Sequence, residues 1–264
     1  MTLPGNWHDL APRLLSGAAI GVAGLGLIWA GGVWFQALAV TVVGLMIWEL
    51  AGITSADGRK DRAIVLGLLA AVTLGFALWM HRPYWLALLA LPSLAGQIGP
   101  RRDRVVFALY ALGLMFTGYG LVAFRAGHGL SFVLWLVLLV AVADMMGYFG
   151  GRLIGGPKFW PAVSPKKTWS GTLSGWVGAA AVGLVTQYLA GAPASLPLFS
   201  VAVAFASQMG DIAESAIKRR GNVKDSSNLI PGHGGLMDRF DALAGAVVFI
   251  LLWGAILPVP QIGD

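Results

Sequence analysis

The chain has 264 residues, of which 57% are apolar and only 11% charged, and 18 Lys and Arg against 12 Asp and Glu give a formal net charge of +6. Soluble domains carry about 25% charged residues, so this deficit, together with a mean hydropathy of +0.76, excludes an ordinary water-soluble globule. Cysteine is absent, which excludes disulfide, zinc–thiolate and thiol-nucleophile chemistry. No nucleic-acid-binding motif accompanies the positive charge, and no nucleic-acid partner is expected.

A helix that crosses the hydrocarbon core needs ~20 mostly apolar residues. Nine segments qualify in chain order, over about 14–32, 33–54, 63–80, 84–99, 104–124, 129–150, 172–191, 195–213 and 240–260. The first is too long for a signal-peptide core and lacks a small-x-small cleavage site, so it reads as a retained helix. The third and fourth are short, and Pro92 interrupts the fourth. The expected fold class is therefore all-α: a polytopic transmembrane protein with about nine spanning helices. Residues 1–130 hold helices one to five, an array whose role stays open. Residues 131–264 hold helices six to nine and the unusual polar residues. Gly17-x-x-x-Gly21 and Gly171-x-x-x-Gly175 let helices approach closely. Packing within the chain is the expected reading, and a homodimer contact is the alternative. Trp34, Tyr84, Trp85 and Trp169 fit an interfacial aromatic belt.

Basic residues in the short loops orient such an array. If the N-terminus and the loops after helices two, four, six and eight share one side, 16 of the 18 Lys and Arg lie there, leaving Arg82 and Arg125 opposite. This bias predicts a cytoplasmic N-terminus in a multi-pass inner-membrane protein. It also accounts for most of the net charge, with attraction to anionic lipid headgroups adding to it.

Topology does not account for carboxylates at the membrane boundary, where they are costly. Asp144 lies inside helix six, ahead of Tyr148 and Gly150-Gly151-Arg152. Ser164-Pro-Lys166-Lys167-Thr168 then precedes helix seven and reads as a phosphate cradle, aided by that helix's N-terminal amides. If helix eight continues past the membrane, Asp211, Glu214, Ser215 and Lys218 share a face. Lys224-Asp225 follows, then Pro231-Gly-His233-Gly-Gly as a tight turn, then Asp238, Arg239 and Asp241 at the start of helix nine. Hard oxygen ligands grouped this way suit Mg²⁺, which binds carboxylates together with substrate phosphates. Lys218, Arg219, Lys224 and Arg239 would hold remaining phosphate oxygens. Glu49, near the same end of helix two, either snorkels to the interface or supports the site from behind.

The run Ser215-x-x-Lys218-Arg219-x₄-Lys224-Asp225, then Pro231-x-His233-Gly234-Gly235-x-x-Asp238-Arg239-x-Asp241, closely resembles the signature of the phosphatidate cytidylyltransferases, or CDP-diglyceride synthases. The blocks around Asp144, Tyr148 and Arg152 and over Ser164–Trp169 also look like that family. The similarity covers about residues 144–243. Two departures stand out: Ser170, where many members have Glu, and Ala242, where many have Ser.

The resemblance implies transfer of a cytidylyl group from CTP to phosphatidate, giving CDP-diacylglycerol and pyrophosphate at the cytoplasmic face. It places Asp211, Asp238, Lys218, Arg219, His233 and Arg239 in the chemistry. Ser164, Lys166, Lys167, Thr168, Lys224, Asp225 and Tyr148 would then hold substrate. Asp211 and Asp238 would hold Mg²⁺, with Asp144, Glu214 and Asp241 as further ligands and a second divalent or monovalent cation beside it. Lipid would enter sideways between helices. The nearest alternatives are a CTP-dependent lipid kinase and a synthase for archaeal-type lipids. From another class, a transporter of an anionic solute also uses buried carboxylates.

Overall fold

The computed structural model describes residues 10–80, 82–230 and 234–263. Among these, nine α-helices, one 3₁₀ helix and one two-stranded hairpin follow each other in the order α1 (Leu10–Ala30), α2 (Gly32–Thr54), α3 (Lys60–Met80), the 3₁₀ helix (Pro83–Ala90), α4 (Leu91–Ala95), α5 (Arg104–Gly127), α6 (Gly129–Leu153), β1 (Lys158–Trp160), β2 (Ser164–Thr168), α7 (Trp169–Ala190), α8 (Leu196–Arg220) and α9 (Met237–Gly254). Six helices, α2, α3, α5, α6, α7 and α8, are long and apolar enough to cross a membrane. The chain is a helical, polytopic membrane protein.

The helices run between two ends of one bundle. At one end, the segment after α2 meets the segment before α5. Ala56 N donates to Pro100 O and Arg102 N to Thr54 O, at 3.2 and 3.0 Å. Arg101 Nη1 reaches Thr54 Oγ1 at 2.8 Å, with its guanidinium 3.5 Å from the centre of the Phe107 ring. The end of α8 joins them, through Arg102 Nη1 to Gly221 O at 2.9 Å and an Arg220–Asp103 ion pair. At the other end, Arg125 Nε reaches Ile28 O at 3.2 Å, and His128 Nδ1 lies 3.2 Å from Gln261 Oε1. The segment expected over 84–99 joins α3 to the end of the bundle where Arg101 lies. It does so without a regular helix: Pro83 starts a 3₁₀ stretch and Pro92 sits in the first turn of α4. A 3₁₀ helix rises more per residue than an α-helix, so these 13 residues reach about 24 Å.

Close backbone approach holds the second half of the bundle. A Cβ added at Gly171 would lie 2.6 Å from Gly147 O on α6, and one at Gly175 would lie 2.9 Å from Ala143 O. The Gly171–Gly175 pair is thus spent inside the chain. Gly21 has nothing within 4 Å, and it lines a cavity instead of packing against a helix. Of the aromatic residues expected to face lipid, Trp34, Tyr84 and Trp169 are exposed. Trp85 instead turns inward, edge-on to Phe76.

The hairpin was not expected. Its strands pair Lys158 with Thr168 and Trp160 with Ser164, with an irregularity between. Gly155 and Gly156, at φ +66° and +103°, turn the chain out of α6 into it. Thr168 ends it by capping α7, its Oγ1 accepting from Gly171 N at 3.2 Å.

Candidate active site

Asp211, Glu214 and Lys218 lie on one face of α8, as the three- and four-residue spacing predicts. The first turn of α9 brings Asp238 and Asp241 against that face. One carboxylate oxygen from each of Asp211, Glu214 and Asp241 lies within 4.8 Å of the others. Asp241 is buried, Glu214 is wholly buried and Asp211 is half-buried. A Cβ at Gly210 would lie 2.9 Å from Gly245 Cα. Only glycines at both positions let α8 and α9 come near enough for the three acids to meet.

Three carboxylates this close repel strongly in a poorly polarisable interior, and two ammonium groups offset them. Lys218 Nζ lies 2.6 Å from both Glu214 Oε2 and Asp238 Oδ1. Lys167, delivered by β2, ion-pairs with Asp211 and reaches Gln208 O at 3.4 Å. Glu214 is close to Lys218, yet neither of its oxygens receives an aligned hydrogen bond. A fully buried carboxylate held by an ion pair to Lys218 and no aligned hydrogen bond, grouped with two more, belongs to a donor set that fits a hard cation such as Mg²⁺. Asp211, Glu214 and Asp241 are the residues placed to hold it.

The structure separates other residues that the sequence grouped. Asp238 is already engaged: besides Lys218 on Oδ1, its Oδ2 accepts from Ser226 N, Ser226 Oγ and Gly235 N at 2.8, 2.9 and 2.8 Å. Asp144 lies on the wall of a cavity of about 470 Å³, partly open to its surroundings, and is not one of the three grouped acids. Arg239 and Phe240 line the same cavity. Side chains along a strand alternate between faces, so β2 sends Lys167 and Lys166 apart. Lys166 is exposed and Thr168 buried, which divides the expected two-lysine cradle. Ser164 opens β2. Tyr148 is exposed and accepts from Arg152 Nη1 at 2.9 Å. Arg219, Lys224 and Asp225 are exposed near the end of α8. His233 lies outside the described residues. Around it, Ile230 N donates to Gly234 O at 2.9 Å, and Gly234 takes φ +83°. Ser170, one of the two departures, donates to Gly155 O at 2.5 Å and so ties α7 to the hairpin approach.

The position of Glu49 in the sequence leaves two roles open, and its surroundings are definite. It is 2% exposed. Oε1 accepts from Ser227 Oγ and Leu236 N at 2.5 and 2.9 Å, and Oε2 from Ser226 Oγ and Met237 N at 3.1 and 2.6 Å.

Fold and site together define a membrane-embedded enzyme whose acids and cations gather at one end of a helical bundle, beside an apolar cavity. The chain belongs to the cytidylyltransferase family, whose model matches residues 11–257, and is an enzyme of the nucleotidyltransferase class. It is 32% identical over 261 residues to the phosphatidate cytidylyltransferase of Brucella abortus biovar 1 (strain 9-941), covering 96% of both chains. Shorter matches join it to the phosphatidate cytidylyltransferases of Haemophilus influenzae and Bacillus subtilis. The first is 40% identical over 129 residues, 46% of this chain and 45% of that one. The second is 36% identical over 126 residues, 47% of each chain. The similarity therefore extends well beyond residues 144–243 and takes in the N-terminal helices.

Proposed function

We infer that this chain transfers the cytidylyl group of CTP to phosphatidate, giving CDP-diacylglycerol and pyrophosphate for phospholipid synthesis. The observation that carries this reading is the juxtaposition on α6, α8 and α9 of a carboxylate cluster with a large apolar cavity. The cavity's polar residues are Asp144, Arg239 and Thr117, and its walls are otherwise mostly Gly, Val, Leu and Ile. Acyl chains of phosphatidate fit such a space, entering sideways between α1 and α6, with the lipid phosphate drawn toward Arg239.

In the reaction a phosphatidate oxygen attacks the α-phosphorus of CTP. The bond to the bridging oxygen breaks, and pyrophosphate leaves with its electron pair. The nucleophile is already an anion, so positioning and charge stabilisation dominate over base catalysis. Mg²⁺ when bound supplies positive charge to the transferring and leaving phosphates. Asp211, Glu214 and Asp241 would hold it, with a second divalent or monovalent cation beside it. Asp238, whose oxygens are taken by Lys218, Ser226 and Gly235, and Asp144 on the cavity wall would support the site from outside that group. Lys167 and Lys218 then pass from carboxylates to phosphate oxygens. Lys166, Arg219, Lys224 and Arg239 draw CTP and lipid to the site. Ser164, Tyr148 and Asp225 help to bind substrate, Thr168 supports them by capping α7, and His233 takes part in the chemistry. The helices over 131–264 carry the chemistry, while those over 1–130 join α6 and α9 in lining the lipid cavity. Nine crossings with a cytoplasmic N-terminus put the site at the cytoplasmic face of the inner membrane, as the distribution of basic residues supports.

The test is incubation of purified protein with labelled CTP, Mg²⁺ and phosphatidate, followed by chromatography of the lipids. CDP-lipid with pyrophosphate is the expected outcome, and phospholipid with CDP would instead mean a CTP-dependent kinase. Asp211→Asn should abolish the transfer, and near-normal turnover in that variant would remove the metal assignment.

A further inference from the structure

We propose that Glu49 is a positioning residue for cytidylyl transfer, clamping Ser226 and Ser227 together with Leu236 and Met237 at the start of α9, on which the geometry of Asp238 depends. The proposal rests on the reading above that the chain makes CDP-diacylglycerol.

A carboxylate buried to 2% exposure is costly unless donors surround it, and all four donors to Glu49 come from one short segment. They are the hydroxyls of Ser226 and Ser227 and the backbone N–H groups of Leu236 and Met237. The last two are among the first amides of α9, which no carbonyl inside that helix can satisfy. Leu236, at the N-cap position, has no side chain able to do so. α9 is therefore capped from α2, far away in sequence, and a negative charge at a helix N-terminus is favourable.

The clamp is shared with the acid cluster. Ser226 Oγ lies 3.1 Å from Glu49 Oε2 and 2.9 Å from Asp238 Oδ2, and its single proton serves both. Three of the four contacts of Asp238 come from Ser226 and Gly235, inside the segment that Glu49 fixes. The fourth is Lys218, which also neutralises Glu214. Gly235 passes between the two carboxylates, and a Cβ there would collide with Ser226 Oγ and Glu49 Oε1. Loosening Glu49 frees Asp238 to rotate, and Lys218 and Glu214 shift with it. A residue that only anchored α9 would need the two amides and neither serine.

The experiment compares wild type with Glu49→Gln, which keeps the shape but turns an NH₂ group toward donors. A second variant, Ser226→Ala, removes the shared hydroxyl without touching the buried acid. The turnover number should fall roughly 10-fold or more in Glu49→Gln, as for lost outer partners of metal ligands. It should fall less in Ser226→Ala. The Mg²⁺ concentration for half-activation should rise in both, with the KM for phosphatidate unchanged. Wild-type turnover per folded molecule and an unmoved Mg²⁺ midpoint, even with a lower melting temperature, would overturn the proposal. If wild type makes no CDP-diacylglycerol, the functional reading fails, and hydrogen exchange then judges Glu49 alone. Faster exchange at Gly235, Leu236 and Met237 in Glu49→Gln, with helix interiors unchanged, supports the clamp. Unchanged exchange there refutes it.

Discussion

Lys167 pairs with Asp211, and Lys218 lies between Glu214 and Asp238, so each ammonium borders the group of acids that would hold a divalent cation. Each ammonium neutralises acids that are otherwise too close together, so removing one should do more than remove a phosphate ligand. Lys218→Met leaves Glu214 and Asp238 without their cation, and breaking a buried ion pair from one side costs about 3–5 kcal/mol. The expected result is a lower melting temperature in detergent, part of which Mg²⁺ restores. Ligand binding to the native state stabilises it by mass action, and the gain should be larger in the variant than in wild type. Equal shifts in both would mean that ammonium and metal do not compete for one place. Asp241→Asn should reduce transfer by roughly 10²-fold or more, the scale for losing one preorganised electrostatic group, and turnover measured at saturating Mg²⁺ checks this. Asp211, Glu214 and Lys218 could be grouped from sequence because a helix repeats on three- and four-residue steps. Glu49 could not: a single acid in an apolar helix has no spacing to its partners, which lie about 180 residues away. The occupation of Asp238 by Ser226 and Gly235 was hidden for the same reason, because loop geometry sets it.

At the scale of elements, helix positions follow from runs of apolar residues, and most observed helices lie within a few residues of the expected ones. α8 runs on past the expected span to Arg220, α9 stops short at Gly254, and the expected span over 84–99 is a 3₁₀ stretch and a short helix. The hairpin left no such trace. Its strands have 3 and 5 residues, one carrying a proline, too short for an alternating pattern to stand out. Its consequence is chemical, since strand alternation gives the adjacent lysines different surroundings. Lys167→Met should therefore cripple transfer, whereas Lys166→Met should cost no more than a few-fold, as expected for an exposed charge. Parallel turnover measurements decide this, and equal losses would mean that the hairpin does not hold its register. The glycine contacts give a second expectation. Gly175→Leu forces a side chain onto Ala143 O and Gln208 Nε2, which lie 2.9 and 2.8 Å from the first added carbon. Overpacking of this kind costs about 1–3 kcal/mol, more where backbone must move. Gly113→Ala, with nothing within 4 Å, should be neutral or slightly stabilising, because alanine favours the helix by up to ~1 kcal/mol. Melting curves of the two variants in one detergent make the comparison.

For the whole molecule, the distribution of charge and the two ends of the bundle agree without having been derived from each other. The contacts joining Thr54, Arg101, Arg102 and Gly221 put basic loops at one end. Those joining Arg125 to Ile28 and His128 to Gln261 mark an opposite end that carries little charge. This two-ended layout was legible because positive charge is biased toward one side of a membrane. The segment over residues 83–95 was legible as a short apolar span interrupted by Pro92, whereas its 3₁₀ geometry was not. A direct test of sidedness is open because the chain has no cysteine, so each introduced thiol reports alone. Lys60 and Ala194 are both exposed and fall on opposite sides of the proposed arrangement. In intact cells a membrane-impermeant maleimide should label Ala194→Cys at once and Lys60→Cys only after permeabilisation. The reverse pattern would place the carboxylate cluster on the side without CTP. Labelling of both in intact cells would mean that the chain crosses an even number of times between them, so that the segment over 83–95 enters the membrane and returns without crossing.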